Sequence, residues 1–273
     1  MNYLEFDFET TGQDQAEQLV ALLSELGFEG FEEGDLYLEA FIPETAFNEN
    51  SFAAVVELFP FLSYTQSVVE NINWNRKWEE SFEPVMVGNF VGIRAGFHSS
   101  LLSKVQFEII ITPKMSFGTG HHATTHLMIR QMQELDFKDK KVFDFGTGTG
   151  VLAILAEKLG ASKVEAIDND EWSIINAKEN ILQNSCSQIS VDQADSIPGN
   201  EQFDIILANI NLNVIVNSLP ELVNNVSKSA TILLSGFLKE NEPAIKSILE
   251  QVGLKYLSTE QKGEWICIKA NKS

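Results

Sequence analysis

The first 75 of the 273 residues contain no lysine or arginine, and Arg76 is the first basic side chain. The same stretch carries fifteen acids, from Glu5 to Glu70, so it supplies −15 of the net −20 and leaves −5 for the remainder. A segment so charged repels phosphate backbones and attracts cationic surfaces. Direct nucleic-acid binding is therefore not expected, and docking of a basic protein is. Cysteine is nearly absent: Cys186 and Cys267 form no metal-ligand spacing and suggest no disulfide framework, so both read as small apolar fillers. Proline is scarce, at seven residues, beside 44% hydrophobic and 21% charged residues, an ordinary globular composition. No apolar run approaches the length needed to span a bilayer. Glu5, Asp7 and Glu9 stand where a secretory signal would need basic residues and then an apolar stretch. The expectation is a cytoplasmic protein without a membrane partner.

The length suits one large domain and one small one. Leu4, Phe6 and Phe8 alternate within 3–9 as on a strand. Asp14 is placed to cap a helical run through Leu19, Leu22, Leu23 and Leu26, which Gly27 would end. Strands at 28–31 and 36–42, a second helix after Asn50 closed by Pro60, and a strand at 62–69 complete a β-α-β-β-α-β order. That order predicts a small ferredoxin-like α+β domain over 1–68. A linker helix is expected over 69–82, carrying Trp74, Arg76 and Trp78. From 83 to 273, short strands lead into a Gly-rich loop, and then strands and helices alternate. Strands are expected at 141–145, 163–167, 203–208 and 231–234, with helices at 151–159, 172–182 and 214–223. A terminal hairpin over 254–257 and 265–268 completes the pattern. Such alternation predicts an α/β, doubly wound Rossmann-like parallel sheet.

Asp144-Phe145-Gly146-Thr147-Gly148-Thr149-Gly150 follows an apolar strand and opens a helix. Glycines there let the backbone turn sharply and approach a ligand. Asp168 ends the next strand, 22 positions after Gly146, the spacing of a carboxylate that accepts from both ribose hydroxyls of a nucleoside. A dinucleotide fingerprint would place its third glycine at Val151, and here the glycines are Gly146, Gly148 and Gly150. Asp144 at the strand end would be a poor neighbour for pyrophosphate and a good one for an ammonium group. Its other reading is a cap on the following helix. The pattern favours S-adenosylmethionine over NAD. Asn209, in Ala208-Asn209-Ile210-Asn211 at the end of another strand, falls at the crevice of an open α/β sheet. Its amide oxygen could accept from a substrate amine and aim the nitrogen lone pair at a methyl group, or it could only satisfy a buried loop. His121 and His122 are adjacent on one loop and have no Cys or carboxylate partner at ligand spacing, so no metal is assigned to them.

The loop Phe117-Gly118-Thr119-Gly120 with His122, Thr124 and Thr125 resembles that of the ribosomal protein L11 methyltransferase family. So do the Asp144–Gly150 turn, Ala208-Asn209-Ile210, Leu234-Ser235-Gly236 and Glu264-Trp265. His121, Ala123, Thr147 and Thr149 depart from the family's common Thr, Pro, Cys and Ser. The resemblance implies a class I methyltransferase domain, S-adenosylmethionine as donor, and an N-terminal domain that recognises the ribosomal protein. It implies methylation of lysine side chains and the α-amine of that protein. Carried over by motif position, cofactor contacts fall on Thr125, Gly146, Asp168 and Asn209, with Asp144 and Gly148 beside them and Asn209 also steering the amine. A methyltransferase for another basic protein and a non-catalytic nucleoside-binding adaptor remain the alternatives.

Overall fold

The computed structural model describes residues 2–34, 36–69, 82–113, 119–196 and 201–272. The expected linker helix lies, but for its two ends, outside the described residues, as does Lys114–Gly118 of the Gly-rich loop. The chain divides into two compact units, Met1–Glu80 and Ser81–Ser273.

In the first unit, strand β1 (Tyr3–Glu9) buries Leu4, Phe6 and Phe8. Helix α1 (Gln13–Glu25), β2 (Gly30–Glu33), β3 (Tyr37–Pro43), α2 (Glu49–Val56) and β4 (Ser63–Val69) follow. The sheet order is β2-β3-β1-β4, with every pair antiparallel, the ferredoxin-like arrangement. Its core is aromatic: the Phe6 ring lies 4.5 Å from Phe52 and 5.6 Å from Phe28. Leu19 and Leu23 of α1 close it from one side. Two helix starts differ from expectation. Gly12, not Asp14, is the N-cap of α1, and the Gln15 side chain reaches back to accept from the Thr11 N–H at 2.7 Å. Asn48, not Asn50, caps α2, accepting from the Ser51 N–H at 3.0 Å. In each case an earlier residue meets the orphan N–H groups.

The opposite face of this sheet is acidic. Glu5, Asp7 and Glu39 converge there across β1 and β3. The Glu39 carboxyl is held above its ordinary value by burial and then by Asp7, Glu32 and Glu5.

The second unit opens with a three-stranded sheet, β5 (Val85–Val87), β6 (Val91–Ala95) and β7 (Phe107–Ile111). The main elements are α3 (Ala123–Gln133), β8 (Lys141–Phe145), α4 (Val151–Lys158), β9 (Lys163–Asp168), α5 (Glu171–Gln183) and β10 (Ile189–Gln193). They continue with β11 (Phe203–Asn209), α6 (Leu212–Asn224), β12 (Val226–Leu238), α7 (Glu242–Gln251), β13 (Leu254–Lys262) and β14 (Trp265–Lys272). The seven-stranded sheet runs β10-β9-β8-β11-β12-β14-β13. Its first five strands are parallel and β14 is antiparallel. Successive residues feed opposite faces, as a pleated strand requires. Val142 and Leu207 join a core with Leu127 and Ile154, while Phe143 and Ala208 join one with Ile215 and Leu249. Strands β5 and β10 and helix α7 are additions to the expected elements, and β12 is much longer than the four residues expected.

Two amides, Asn180 on α5 and Asn184 at its C-terminal cap, tie these layers together. Asn180 Nδ2 donates to Thr149 O at 2.8 Å, and its Oδ1 accepts from the Thr112 N–H at 2.8 Å. Asn184 makes the same two-way bond to Ile110 of β7. Asn180 is wholly buried, so its removal takes one hydrogen bond from each of two backbone groups. Asn180→Ala is expected to cost about 0.5–1.5 kcal/mol for each bond lost. Thermal unfolding should show Tm falling by at least roughly 2–4 °C for each kcal/mol lost, whereas exposed Gln188→Ala should leave it unchanged.

Candidate functional site

The parallel strands β8 and β11 lie side by side, and the chain leaves them in opposite directions along the sheet. That switch point opens a crevice at the carboxyl ends of the strands. A cavity of about 560 Å³ occupies it, within the range of small-molecule sites.

β8 runs into the turn of Gly146, Gly148 and Gly150, all at positive φ. At Gly146 (φ 74°) there is a second reason for glycine, because a Cβ would lie 2.1 Å from Ile210 Cγ2. The turn is pinned to β9 by two bonds of 2.9 Å from the Gly146 and Thr147 N–H groups to Ile167 O. Asp168, at the end of β9, fixes it further. One carboxylate oxygen accepts from the Gly148 N–H at 2.9 Å and the other from the Asp170 N–H at 3.1 Å. An ionised carboxylate can accept about four hydrogen bonds, so these two anchor it and leave capacity towards the cavity it lines.

Asn209 ends β11 and is buried. Its Nδ2 makes a long contact of 3.4 Å to Thr125 Oγ1, while its Oδ1 is buried without a hydrogen-bond partner among the described residues. Asn209 lines the cavity with Gly146, Gly148 and Asp168. Thr125 lines a small recess that shares Gly146, Gly148 and Asn209 with it. Five of the six residues singled out in the sequence thus gather at one place.

Asp144 is the sixth, and it lines neither space. Its carboxylate is buried under the glycine turn, where Oδ2 accepts from Thr147 Oγ1 at 2.6 Å. Burial pushes its carboxyl up to about 7, against the lowering effect of the Thr147 hydroxyl.

The structure adds wall residues that no single motif announced. Ser173 on α5, Asp195 after β10 and Val214 on α6 line the cavity. Asp195 follows a strand that the sequence reading passed over, and Ser173 and Val214 are unremarkable members of helical runs. His122 lines the cavity as well and caps α3, its Nδ1 accepting from the Thr124 N–H at 3.3 Å. Its ring packs edge-on against Trp265, with centroids 4.5 Å apart, and burial lowers its pKa, so it is neutral at pH 7. His121 is exposed, contacts Thr119 Oγ1 and Phe82, and is absent from the cavity wall.

Residues 8–273 match the family described as ribosomal protein L11 methyltransferase (PrmA). A relative of that name from Phocaeicola vulgatus is 37% identical, over 98% of this chain and 99% of its own. One from Chlorobaculum parvum is 40% identical, over 97% and 95%. Among solved structures, a ribosomal protein L11 methylase from Lactobacillus delbrueckii subsp. bulgaricus is 26% identical with a TM-score of 0.65. That match covers 70% of this chain and all of the other.

The buried Asp144 has a consequence for stability. Its carboxyl sits near 7 in the fold against 3.8 for the free group, so between those values the folded chain holds the extra proton. Stability contributed by this group is therefore greatest at acid pH and falls as pH rises from about 4 to about 7. Asp144→Asn should remove that slope. Urea unfolding at pH 4.5 and 7.5 should show the variant gaining on the wild type by roughly 1–4 kcal/mol at the higher pH. Parallel pH profiles of the two proteins would show the carboxyl to be ordinary.

Proposed function

The chain belongs to the ribosomal protein L11 methyltransferase family, and from that membership we propose that it methylates amino groups of ribosomal protein L11 with S-adenosylmethionine as donor. The reading extends to lysine side chains and the α-amine as acceptors, to residues 1–68 as the recognition domain, and to the cytoplasm as the place of action. The observation that carries the catalytic assignment is the Asn209 amide oxygen, a buried acceptor with no partner among the described residues, on a residue that lines the crevice.

The residues present fit the donor. The cavity is large enough, and the turn at Gly146 leaves no Cβ in the way. Asp168 offers a backbone-anchored carboxylate for two ribose hydroxyls. Ser173 and Asp195, on the β9–β10 side, suit the adenine end, while Gly146, Thr125 and Asn209 surround the methionine end. When bound, S-adenosylmethionine supplies a methyl group on a sulfonium, open to in-line displacement by a nitrogen lone pair.

The protein's part is alignment and exclusion of water. Asn209 Oδ1 accepts one amine N–H, which turns the lone pair towards the methyl group. Amines have unperturbed pKa values of about 8 for the α-amine and about 10.4 for lysine, so the reactive neutral form is the minority species. A dry wall beside a sulfonium disfavours ammonium and enlarges that fraction. His122 and Trp265 make such a wall.

Two substitutions separate these roles. Asp168→Ala removes two hydrogen bonds to a charged acceptor, each worth about 1.5–3 kcal/mol. Calorimetry should show donor affinity falling at least about tenfold with the fold intact, and unchanged affinity would remove Asp168 from the ribose. Asn209→Ala should lower kcat on ribosomal protein L11 much more than it weakens donor binding. Normal turnover with only a raised donor KM would limit Asn209 to holding the donor.

A further inference from the structure

Between Glu57 and Glu70 lie twelve residues without a charge, the longest such interval in the acidic first 75. They form a turn and then β4. This strand pairs with β1 on one side only and closes that end of the sheet order. Its register with β1 is continuous over seven pairs, and residues 63–68 are all exposed. Natural sheets protect free edges with lysine, proline, bulges or short strands. β4 has none of these. The other edge, β2, is four residues long and carries Glu32, so among the described residues only one edge of this sheet is left ready to accept another strand.

The turn before β4 points the same way. Leu62 N–H donates to Phe59 O at 3.2 Å, which closes Phe59-Pro60-Phe61-Leu62. Pro60 takes the second position, and Phe61 takes the third at φ 73°. This is the type II pattern, whose third position normally holds glycine or asparagine. Phe61 is also fully exposed, at 102%. The backbone strain and the exposed ring both cost stability, and glycine would relieve both. Contact with a partner accounts for keeping phenylalanine. Val68, 56% exposed on β4, extends the apolar strip, while the Tyr64 ring, 42% exposed, packs against Phe6, Phe8 and Phe52.

We propose that the Phe61 turn and the free edge of β4 are the docking strip for the protein substrate, which adds an extended, cationic segment to the sheet and covers the Phe61 ring. The assignment rests on the reading of ribosomal protein L11 as substrate. Charge selects this occupant. A second copy would bring another fifteen uncompensated acids against the first fifteen, whereas a lysine-bearing segment is drawn to them. Main-chain pairing along β4 supplies affinity, and the apolar strip sets position.

The test uses the full-length protein and intact ribosomal protein L11. Phe61→Gly should raise the KM for the ribosomal protein at least about fivefold, with Tm equal or higher, since the strain is gone. Gln66→Lys combined with Val68→Lys should raise it at least about tenfold by charging the edge. In each variant the affinity for S-adenosylmethionine and kcat at saturating substrate should stay at wild-type values. Hydrogen exchange should show β4 amides slowing when the ribosomal protein is added, with β2 unchanged. Unaltered KM in both variants of an active enzyme overturns the proposal. So does slowed β4 exchange that depends only on the enzyme's own concentration, which would mean self-pairing. A wild-type enzyme that leaves the ribosomal protein unmethylated overturns the functional reading and this one with it, and that control tells the two failures apart.

Discussion

Ile210 occupies space that side chains on a neighbouring turn and a neighbouring strand would need. A Cβ on Gly146 would meet its Cγ2 at 2.1 Å, and one on Gly236 would meet its carbonyl oxygen at 2.1 Å. Both glycines stand at positive φ, 74° and 100°, so any other residue there would be strained as well as crowded. The end of β11 is thereby gripped between the turn that leaves β8 and the bulge at Gly236 within β12. The Ile210 N–H donates to Ser235 O at 3.1 Å, and Ser235 Oγ donates to Ile266 O at 2.7 Å. Immediately before this grip lies Asn209. Immediately after it Asn211 caps α6 through the Val214 N–H at 3.1 Å. The acceptor amide, the crevice and the start of a helix all depend on one close approach of backbones.

Charge is arranged differently in the two units. The acidic unit keeps its carboxylates on the outside, where they act at a distance and are screened by salt. In the catalytic unit the carboxylates that matter are tied to backbone or buried. Asp168 is held by two N–H groups and Asp144 by a threonine hydroxyl. The first arrangement suits long-range attraction of cations. The second keeps the cavity wall rigid, because a charged group already anchored on backbone pays little further ordering cost when a ligand arrives.

Much of this was legible in the sequence because the signals are local. A strand, a glycine turn, a helix and an acid 22 residues on specify Gly146, Gly148 and Asp168 without knowledge of the rest. The β-α-β-β-α-β order likewise gave the first sheet. What local reading missed needed long-range contacts. Val191 is the one buried residue of β10, so its five residues show no clear alternation, and Asp195 beyond it went unremarked. Asp144 looked like a ligand group because it precedes the turn. Only the packing of Thr147 over it shows a carboxylate facing away from the cavity. The helix starts at Gly12 and Asn48 were misjudged by two residues each, since Ser, Thr, Asn, Asp and Gly all suit a cap and several stood close together.

An amide at position 209 suits the role proposed for it. A carboxylate in that place would attract the substrate amine more strongly, yet it would do so by stabilising ammonium, the form with no lone pair to give. A hydroxyl accepts a hydrogen bond but also donates one, and so could bind the lone pair itself. A neutral amide oxygen accepts an N–H without charge and, being acceptor only, leaves the lone pair free. Its own N–H₂ group lies 3.4 Å from Thr125 Oγ1. His122, whose pKa burial lowers, and Trp265 line the same cavity and extend this logic, since neither would stabilise an ammonium as a carboxylate would.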